Sequence, residues 1–377
     1  MTIDFISHYL PEILIATFGI IALFQILYYV ALFFRFSFHK QKVFEAQNTP
    51  PVSIVIVAKN DAHLLIKTLP EFLTQEYPQF EVVIVNDNSD DETAQLVMDF
   101  QNSFSNLKLL NLESSVTNIK GKKFPLSLGI KAATYEHVLF TDADCLPASN
   151  QWIKLMARHF SETKKIVLGF SKIHKKIGFV NTLIRFDRLH QAIQYFSYCL
   201  AKIPFRGMGQ NLAYTKTVFF NHQGFVYQNH LQFGDDDLFI NRIADFRNST
   251  IEYGNESYTT SLLGSNSSNW FLFKMFRSKT RKLYDKPERF LLNFYHFLMT
   301  LSYIVLGFAI YFTINNPTYL IIVLGILMFK LMFQYISFGF AAAKLDEKNL
   351  IAHLLFFDII FAVLNPIIYI VSRFFSK

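Results

Sequence analysis

His137–Ile153 reads HVLFTDADCLPASNQWI, a short apolar run that ends abruptly in two aspartates one residue apart. Two similar runs precede it, VSIVIVA at Val52–Ala58 and EVVIVN at Glu81–Asn86. All three are rich in β-branched residues and give way to polar ones. Between them lie stretches with helical spacing: Leu64, Leu65, Leu69 and Phe72, then Leu96, Val97 and Phe100. Near-continuous apolar strands alternating with helices predict an α/β fold with a mostly parallel sheet covered on both faces. Ligands of such sheets bind beyond the carboxyl ends of the strands. The residues there are Lys59-Asn60-Asp61, Asp87-Asn88-Ser89-Asp90-Asp91 and Asp142-Ala143-Asp144.

Carboxylates gathered at adjacent strand ends repel one another unless a cation joins them. Mg2+ or Mn2+ takes hard oxygen ligands and keeps coordination places for phosphate oxygens, so a diphosphate ligand is expected with it. In extended backbone Asp142 and Asp144 point the same way and can converge on one ion or a ribose. A single Asp after a strand is more ordinarily a helix cap, and Asp90 or Asp91, ahead of Glu92-Thr93, is read so.

The rest of the chain is of another character. Half of its 377 residues are hydrophobic (51%), and aromatics equal charged residues at 17% each. That excludes a disordered chain and argues against an ordinary soluble protein. Two cysteines are too few for a disulfide framework or a structural zinc site. The net charge of +7 suggests an anionic partner, a lipid surface or a phosphorylated ligand, and no nucleic acid is expected. Glu12–Phe34, Phe290–Phe312, Tyr319–Ala342 and Ile351–Val371 are long and apolar enough to span a bilayer. The last, interrupted by Pro366, is the least regular. His296 and Lys330 inside these spans are expected to face a partner helix and the bundle interior.

Arg35, Lys40 and Lys42 follow the first span, and Lys274, Arg277, Lys279, Arg281, Lys282, Lys286 and Arg289 precede the second. By the positive-inside rule the block between them is cytoplasmic, in a multi-pass protein of the cell (inner) membrane. The division expected is 1–42 (first span and basic flank), 43–263 (catalytic block), 264–289 (amphipathic interfacial segment) and 290–377 (about three spans).

The central block resembles the family 2 glycosyltransferases of GT-A fold, of the membrane-anchored bacterial type. This inverting class includes cellulose and hyaluronan synthases and many single-addition enzymes. The resemblance covers about residues 50–285. It rests on VSIVIVAKNDA at 52–62, EVVIVNDNSDDET at 81–93, GKKFPLSLGIKAA at 121–133, HVLFTDADCLPASNQWI at 137–153 and GDDDLFINRI at 234–243. It implies that Ala58, Asn60 and Asp61 of the first loop, with Asn86 and Asp87, hold the base and ribose of a nucleotide-sugar donor. Asp142 and Asp144 would be the DxD pair that binds Mg2+ or Mn2+ and the donor diphosphate, with Lys122 and Lys123 (and Lys120 nearby) beside the phosphates. Asp235-Asp236-Asp237 would carry the general base. Lining up Arg242 with the family's basic residue puts it at Asp236, with Asp235 second and one of the three serving as a helix cap. Gly209, Gln210 and Asn211 lie where the family builds its acceptor subsite.

Two departures matter. Asn86 stands where the family's second strand usually has the first of two Asp, which shifts base recognition towards Asp87. The processive synthases hold the acceptor with Gln-x-x-Arg-Trp, whereas this chain reads Phe273-Lys274-Met275-Phe276-Arg277-Ser278-Lys279. Arg277 can keep the arginine's acceptor role, but the Gln and Trp are missing, which favours single-sugar transfer over polymer synthesis.

Asn269–Arg289 interleaves Trp270, Phe271, Phe273 and Phe276 with cations, and Arg277 and Arg281 have i, i+4 spacing. Lys172–Arg206 is similar, with Phe179, Leu183, Phe186 and Tyr195 among Lys175, Lys176, Arg185 and Arg188. Both are expected to lie in the headgroup layer. The function expected is metal-dependent, inverting transfer of a sugar to a lipid-linked or membrane-associated acceptor of the cell envelope. The alternatives are a processive polysaccharide synthase and, from another class, a transporter or scaffold with a nucleotide-binding domain.

Overall fold

The computed structural model describes residues 2–41, 49–112, 121–264 and 267–374. Lys42 and Lys120, singled out above, lie outside the described residues. The chain divides into two compact units, residues 1–39 with 277–377, and residues 40–276.

The first unit opens with α1 (Thr2–Tyr28), a π-helical turn (Tyr29–Phe33) and α2 (Phe34–Ser37). The second unit then alternates strand and helix: β1 (Val52–Ala58), α3 (Ala62–Leu73), β2 (Phe80–Asp87), α4 (Thr93–Gln101), β3 (Leu107–Leu112), α5 (Lys123–Ala132) and β4 (His137–Asp142). Shorter elements follow: β5 (Cys145–Pro147), α6 (Trp152–Ala157), β6 (Ile166–Leu168), β7 (Ser171–Ile173), the long α7 (Phe179–Leu200), β8 (Leu212–Thr215) and α8 (Lys216–Asn221). It closes with α9 (Leu238–Ile243), β9 (Ser249–Ile251), β10 (Thr259–Ser261) and α10 (Ser267–Thr280), whose last turn crosses the unit boundary.

The main sheet runs β3-β2-β1-β4-β8-β6-β9. Its first four strands are parallel, and β8 is antiparallel to both β4 and β6. Both faces of β1 are covered. Ile54, Ile56 and Ala58 pack with Leu65, Leu69 and Phe72 of α3 and with Trp152 of α6. On the other face α5 sits so close that a Cβ at Gly129 would come within 2.6 Å of Val55 and 2.8 Å of Val85. Only glycine lets that helix approach the sheet. The expected mostly parallel α/β core is thus present. A second sheet, β5-β10-β7, was not anticipated, because three-residue strands carry no readable period.

The segment 172–206 is divided: Ile177, Phe179 and Val180 at its start are exposed beside Lys175 and Lys176, but the rest is not an interfacial face. Most of α7 is buried in this unit, including Leu183, Phe186, Leu189, Ile193 and Tyr195, and the Tyr195 hydroxyl donates to the Gly169 carbonyl at 2.7 Å. These buried aromatics line a protein core rather than a bilayer. The segment 264–289 is also not one amphipathic helix: α10 ends at Thr280, Arg281–Leu283 forms a 3-10 turn, and a separate helix starts at Lys286. Part of α10 is committed to its own domain. Asp187 of α7 accepts from Trp270 Nε1 and Lys274 Nζ, both at 2.8 Å.

The first unit is completed by α11 (Lys286–Thr313), α12 (Pro317–Lys344) and α13 (Leu354–Phe374). Four helical segments, Tyr9–Ser37, Lys286–Thr313, Pro317–Lys344 and Lys348–Phe374, are long and apolar enough to cross a membrane. Asn316 caps α12, its side chain accepting from the Tyr319 N–H at 3.4 Å, and Pro366 sits inside α13 without ending it. Lys330 is 1% exposed and lies 3.5 Å from Asp358, which also accepts from the Tyr303 hydroxyl at 2.7 Å. His296 meets Asn365 at 3.4 Å. Both residues therefore face neighbouring helices, as expected.

Candidate active site

The sheet register places the strand ends side by side. Val57 pairs with Val85 on one side and Asp142 on the other. Side chains alternate along a strand, so Asp87, two residues after Val85, shares the face of Asp142. Ala58 and Asn86 fall on the opposite face. Ala58 is fully buried in the core, and Asn86, 3% exposed, donates to Asn111 of β3 at 2.5 Å. The register thus separates Asn86 from Asp87, and the Asn86 side chain serves the β2–β3 contact.

The first two strand-end loops brace each other. The Asn60 N–H donates to Ser89 Oγ (2.9 Å), and Asn60 Oδ1 accepts from the Asp90 N–H (2.8 Å). The Asp61 N–H donates to Thr93 Oγ1 (3.0 Å), while Asp61 Oδ2 accepts from the Lys59 N–H (2.9 Å). Asp91 accepts from the Ala62 and Thr93 N–H groups, at 3.1 and 3.0 Å, and so caps α3 and α4 together, in the capping role expected of it. Burial raises the pKa of the Asp61 carboxyl, against the Lys59 N–H that lowers it, and the carboxylates of Asp144 and Asp142 add to the rise. Lys59 Nζ stands 3.7 Å from Asp87.

The third loop turns directly after β4. Thr68 of α3 donates its hydroxyl to the Ala143 carbonyl at 2.8 Å, fixing the turn between the two aspartates. Asp144 Oδ2 accepts from Ser261 Oγ at 2.5 Å and from the Leu263 N–H at 3.2 Å. Burial and the neighbouring Asp142 carboxylate raise its pKa, while those donors lower it. Nothing in the sequence marks Ser261 as its partner; it reaches Asp144 through the second sheet.

Lys122 joins this end of the sheet to the later aspartates. Its Nζ lies 2.7 Å from Asp142 Oδ1 and 3.5 Å from Asp235 Oδ2. Burial disfavours its charge, but the carboxylates of Asp142, Asp235 and Asp236 outweigh that and hold its pKa above the ordinary lysine value. Gly121 makes the placement feasible. It has φ +88°, and a Cβ there would come within 2.1 Å of the Gln232 carbonyl oxygen. Val57, Lys122, Asp142, Gly209, Asp235 and Asp236 line one pocket.

Asp237 is the cap of α9, accepting from the Leu238 N–H at 2.7 Å. Asp236 is held through its carbonyl by the Gly207 N–H (3.0 Å) and through Oδ2 by the Gly209 N–H (3.3 Å). Burial first, then the carboxylates of Asp235 and Asp237, push its pKa up to about 7, against the pull of Arg206 and Lys122. A carboxyl poised there can accept a proton at neutral pH.

Besides Ala58 and Asn86, three of the expected site residues have other work. Lys123 is 1% exposed and donates to the carbonyls of Gln228 (2.7 Å) and Leu231, tying down the segment before Asp235 instead of facing the phosphates. Asn211 is fully buried. It accepts from Trp152 Nε1 at 3.1 Å and donates to the carbonyls of Phe170 and Ser257, both at 2.8 Å. Gln210 accepts from Arg188 at 2.7 Å. Asn211→Ala should therefore act on the fold: it strands one indole donor and two carbonyls, a loss of at least about 3 kcal/mol. The melting temperature should fall by roughly 5–10 °C. An unchanged melt with a raised acceptor KM would restore Asn211 to the acceptor subsite.

For a metal, no cluster of three or more His, Cys, Asp or Glu side chains occurs among the described residues. Two carboxylates completed by a diphosphate is nonetheless a donor set that Mg2+ and Mn2+ accept, and Asp142 and Asp144 supply hard oxygens of that kind.

Residues 53–231 match the family model described as glycosyl transferase family 2. A poly-β-1,6-N-acetyl-D-glucosamine synthase of Staphylococcus epidermidis is 32% identical over 130 residues, 32% of this chain and 30% of that protein. A synthase of the same name from Staphylococcus aureus is 26% identical over 175 residues, 46% of this chain and 39% of that protein. The matches span about a third of the length of these curated relatives. A solved mannosyltransferase from Pyrobaculum calidifontis, in complex with GDP-Man and Mn2+, shares the fold, with a TM-score of 0.59 at 17% identity over 89% of this chain and 98% of that one. Over residues 53–231, somewhat less than half of its length, the chain is similar to glycosyl transferase family 2, and it shares the GT-A fold.

Proposed function

We propose that this protein transfers one sugar from a nucleotide-sugar donor to a membrane-associated acceptor, inverting the anomeric centre. The observation that carries the proposal is the position of Lys122, which links the strand-end carboxylate Asp142 to Asp235 beside the poised base Asp236. Donor phosphates and acceptor hydroxyl would then meet in one pocket. Asp61 and Asp87 would hold the nucleoside, and Asp142 with Asp144 would hold Mg2+ or Mn2+ against the diphosphate. The metal supplies charge neutralisation of the leaving diphosphate. Asp236 takes the proton of the acceptor hydroxyl, and that oxygen bonds to the anomeric carbon. The bond from that carbon to the diphosphate breaks, the electron pair leaving with the phosphate.

Four apolar helices and the Lys/Arg flanks support a multi-pass protein of the inner membrane with this domain in the cytoplasm. The missing Gln and Trp of the acceptor motif support single addition. A processive reading has one observation in its favour: both curated relatives above are named for a polymer of N-acetylglucosamine. UDP-N-acetylglucosamine is thus the first donor to test. Purified protein in bilayer discs, given that donor, Mn2+ and membrane lipid extract, should release UDP and yield an acceptor one sugar heavier. A ladder of long products from a single encounter would replace single addition with processive synthesis. No turnover across a panel of nucleotide sugars would overturn the enzyme assignment.

A further inference from the structure

The turn Arg206–Gln210 is gripped from two directions. On one side the N–H groups of Gly207 and Gly209 hold Asp236, as described. On the other, two guanidinium groups attach to the same short stretch. Arg188 Nη1, from α7, reaches Gln210 Oε1 and Met208 Sδ, both at 2.7 Å. Arg206 Nη2 donates to Gln191 Oε1 at 2.8 Å. Every one of these partners is neutral, and a thioether is a poor acceptor for a cation. Arg206 is 7% exposed, and its Nε is buried without an acceptor. Asp187, beside Arg188 in sequence, is already taken by Lys274, Trp270 and Gln191. Among the described residues neither arginine forms an ion pair.

Burying a guanidinium with no carboxylate in ion-pair contact is costly, and the half-buried Arg188 beside Arg206 adds repulsion. The charge of Arg206 presses on both neighbours: after burial it is the main influence lowering the Arg188 pKa, and it pulls the Asp236 pKa down. An anionic ligand would relieve the strain. Planar guanidinium forks match the oxygens of phosphate with paired hydrogen bonds, a geometry that lysine lacks.

We propose that Arg188 and Arg206 form an oxyanion subsite of the phosphate class on the Gly207–Gln210 side of Asp236. Two sources carry that chemistry, a phosphate on the acceptor and the diphosphate of the donor. Naming either one rests on the transfer function proposed above, whereas the binding of an oxyanion does not. Arg206 belongs to the turn that holds the base and Arg188 reaches that turn from α7, while Asp142 ends β4 and Asp144 follows it, held by Ser261. An acceptor-borne phosphate is therefore the ligand expected.

The test uses the full chain in detergent, with inorganic phosphate and pyrophosphate as probes and no metal. Both should raise the melting temperature of the wild type. Arg206→Met should weaken that response at least tenfold in concentration and, without phosphate, should melt no lower than wild type, because an unanswered charge has gone. A lower melt with an intact phosphate response would make the arginine purely structural and overturn the proposal, as would a wild type indifferent to both probes. If Arg206→Met does not fold, Arg188→Gln is read in the same way. UDP affinity, measured with Mn2+ on the same variants, names the source. Unchanged affinity assigns the subsite to the acceptor, and a tenfold loss assigns it to the donor diphosphate. If the wild type binds no nucleotide at all, the transfer function fails, while the phosphate titrations still decide the subsite.

Discussion

Asp236→Asn is expected to lower sugar transfer by roughly 10²–10⁴-fold, the range for a lost general base, with donor affinity nearly unchanged. The amide keeps the shape of the carboxyl and can still accept from the Gly209 N–H, which lies 3.3 Å away in the native chain. What it loses is the capacity to take a proton, and that matters only in the transition state. The same group sets the pH profile. Its pKa, held up at about 7 by burial and by Asp235 and Asp237, means that the base is progressively protonated below neutrality. The wild-type kcat/KM should therefore fall with decreasing pH from about 7, one proton per enzyme, and be flat above it. Asp237→Asn should be mild in catalysis, since that side chain caps α9. If Asp235→Asn abolishes turnover and Asp236→Asn does not, the base is Asp235. An acid limb that lies well below pH 7 would leave Asp236 without its role.

The parts of this architecture that were legible in the sequence share a physical property. Strands β1, β2 and β4 are buried on both faces, so they read as unbroken β-branched runs, and their polar ends mark the ligand side of the sheet. β3 was not read: Leu107–Leu112 is LKLLNL, an edge strand of mixed exposure that could equally be a helix turn. The second sheet escaped for want of length, and with it Ser261 as the partner of Asp144. Misplaced site residues have a common cause as well. Lys123, Asn211 and Asn86 are polar groups within motifs that look functional, and the fold spends them on backbone carbonyls, an indole and a neighbouring strand. Sequence position next to a motif does not tell which way a side chain points. Aromatics interleaved with cations misled in a similar way. In α7 beyond Val180 that pattern is a core lined with tyrosine and phenylalanine, and in α10 Trp270 and Lys274 converge on Asp187.

Asp144→Asn should cut turnover by at least about a hundredfold, the scale for losing a principal electrostatic stabiliser of the leaving group. The two carboxylates of the DxD pair are not equivalent in this chain. Asp142 already has the Lys122 ammonium at 2.7 Å, whereas Asp144 is answered only by neutral donors: the Ser261 hydroxyl, the Leu263 N–H and, at 3.5 Å, the Cys145 thiol. Burial and Asp142 both raise its pKa, so its charge is held at a cost until a cation arrives. Removing that charge has two opposite consequences. Without metal, Asp144→Asn should melt at or above the wild-type temperature, because the repulsion with Asp142 is gone. With Mn2+ and UDP present, the variant should lose the extra stabilisation that binding gives the wild type. Ser261→Ala should reduce turnover less, since it loosens the carboxylate without removing it. Wild-type activity that is equal in EDTA and in Mn2+ would sink the metal assignment. A variant that melts lower than wild type without metal would show that Asp144 is held in place for the fold, its hydrogen bonds outweighing the repulsion.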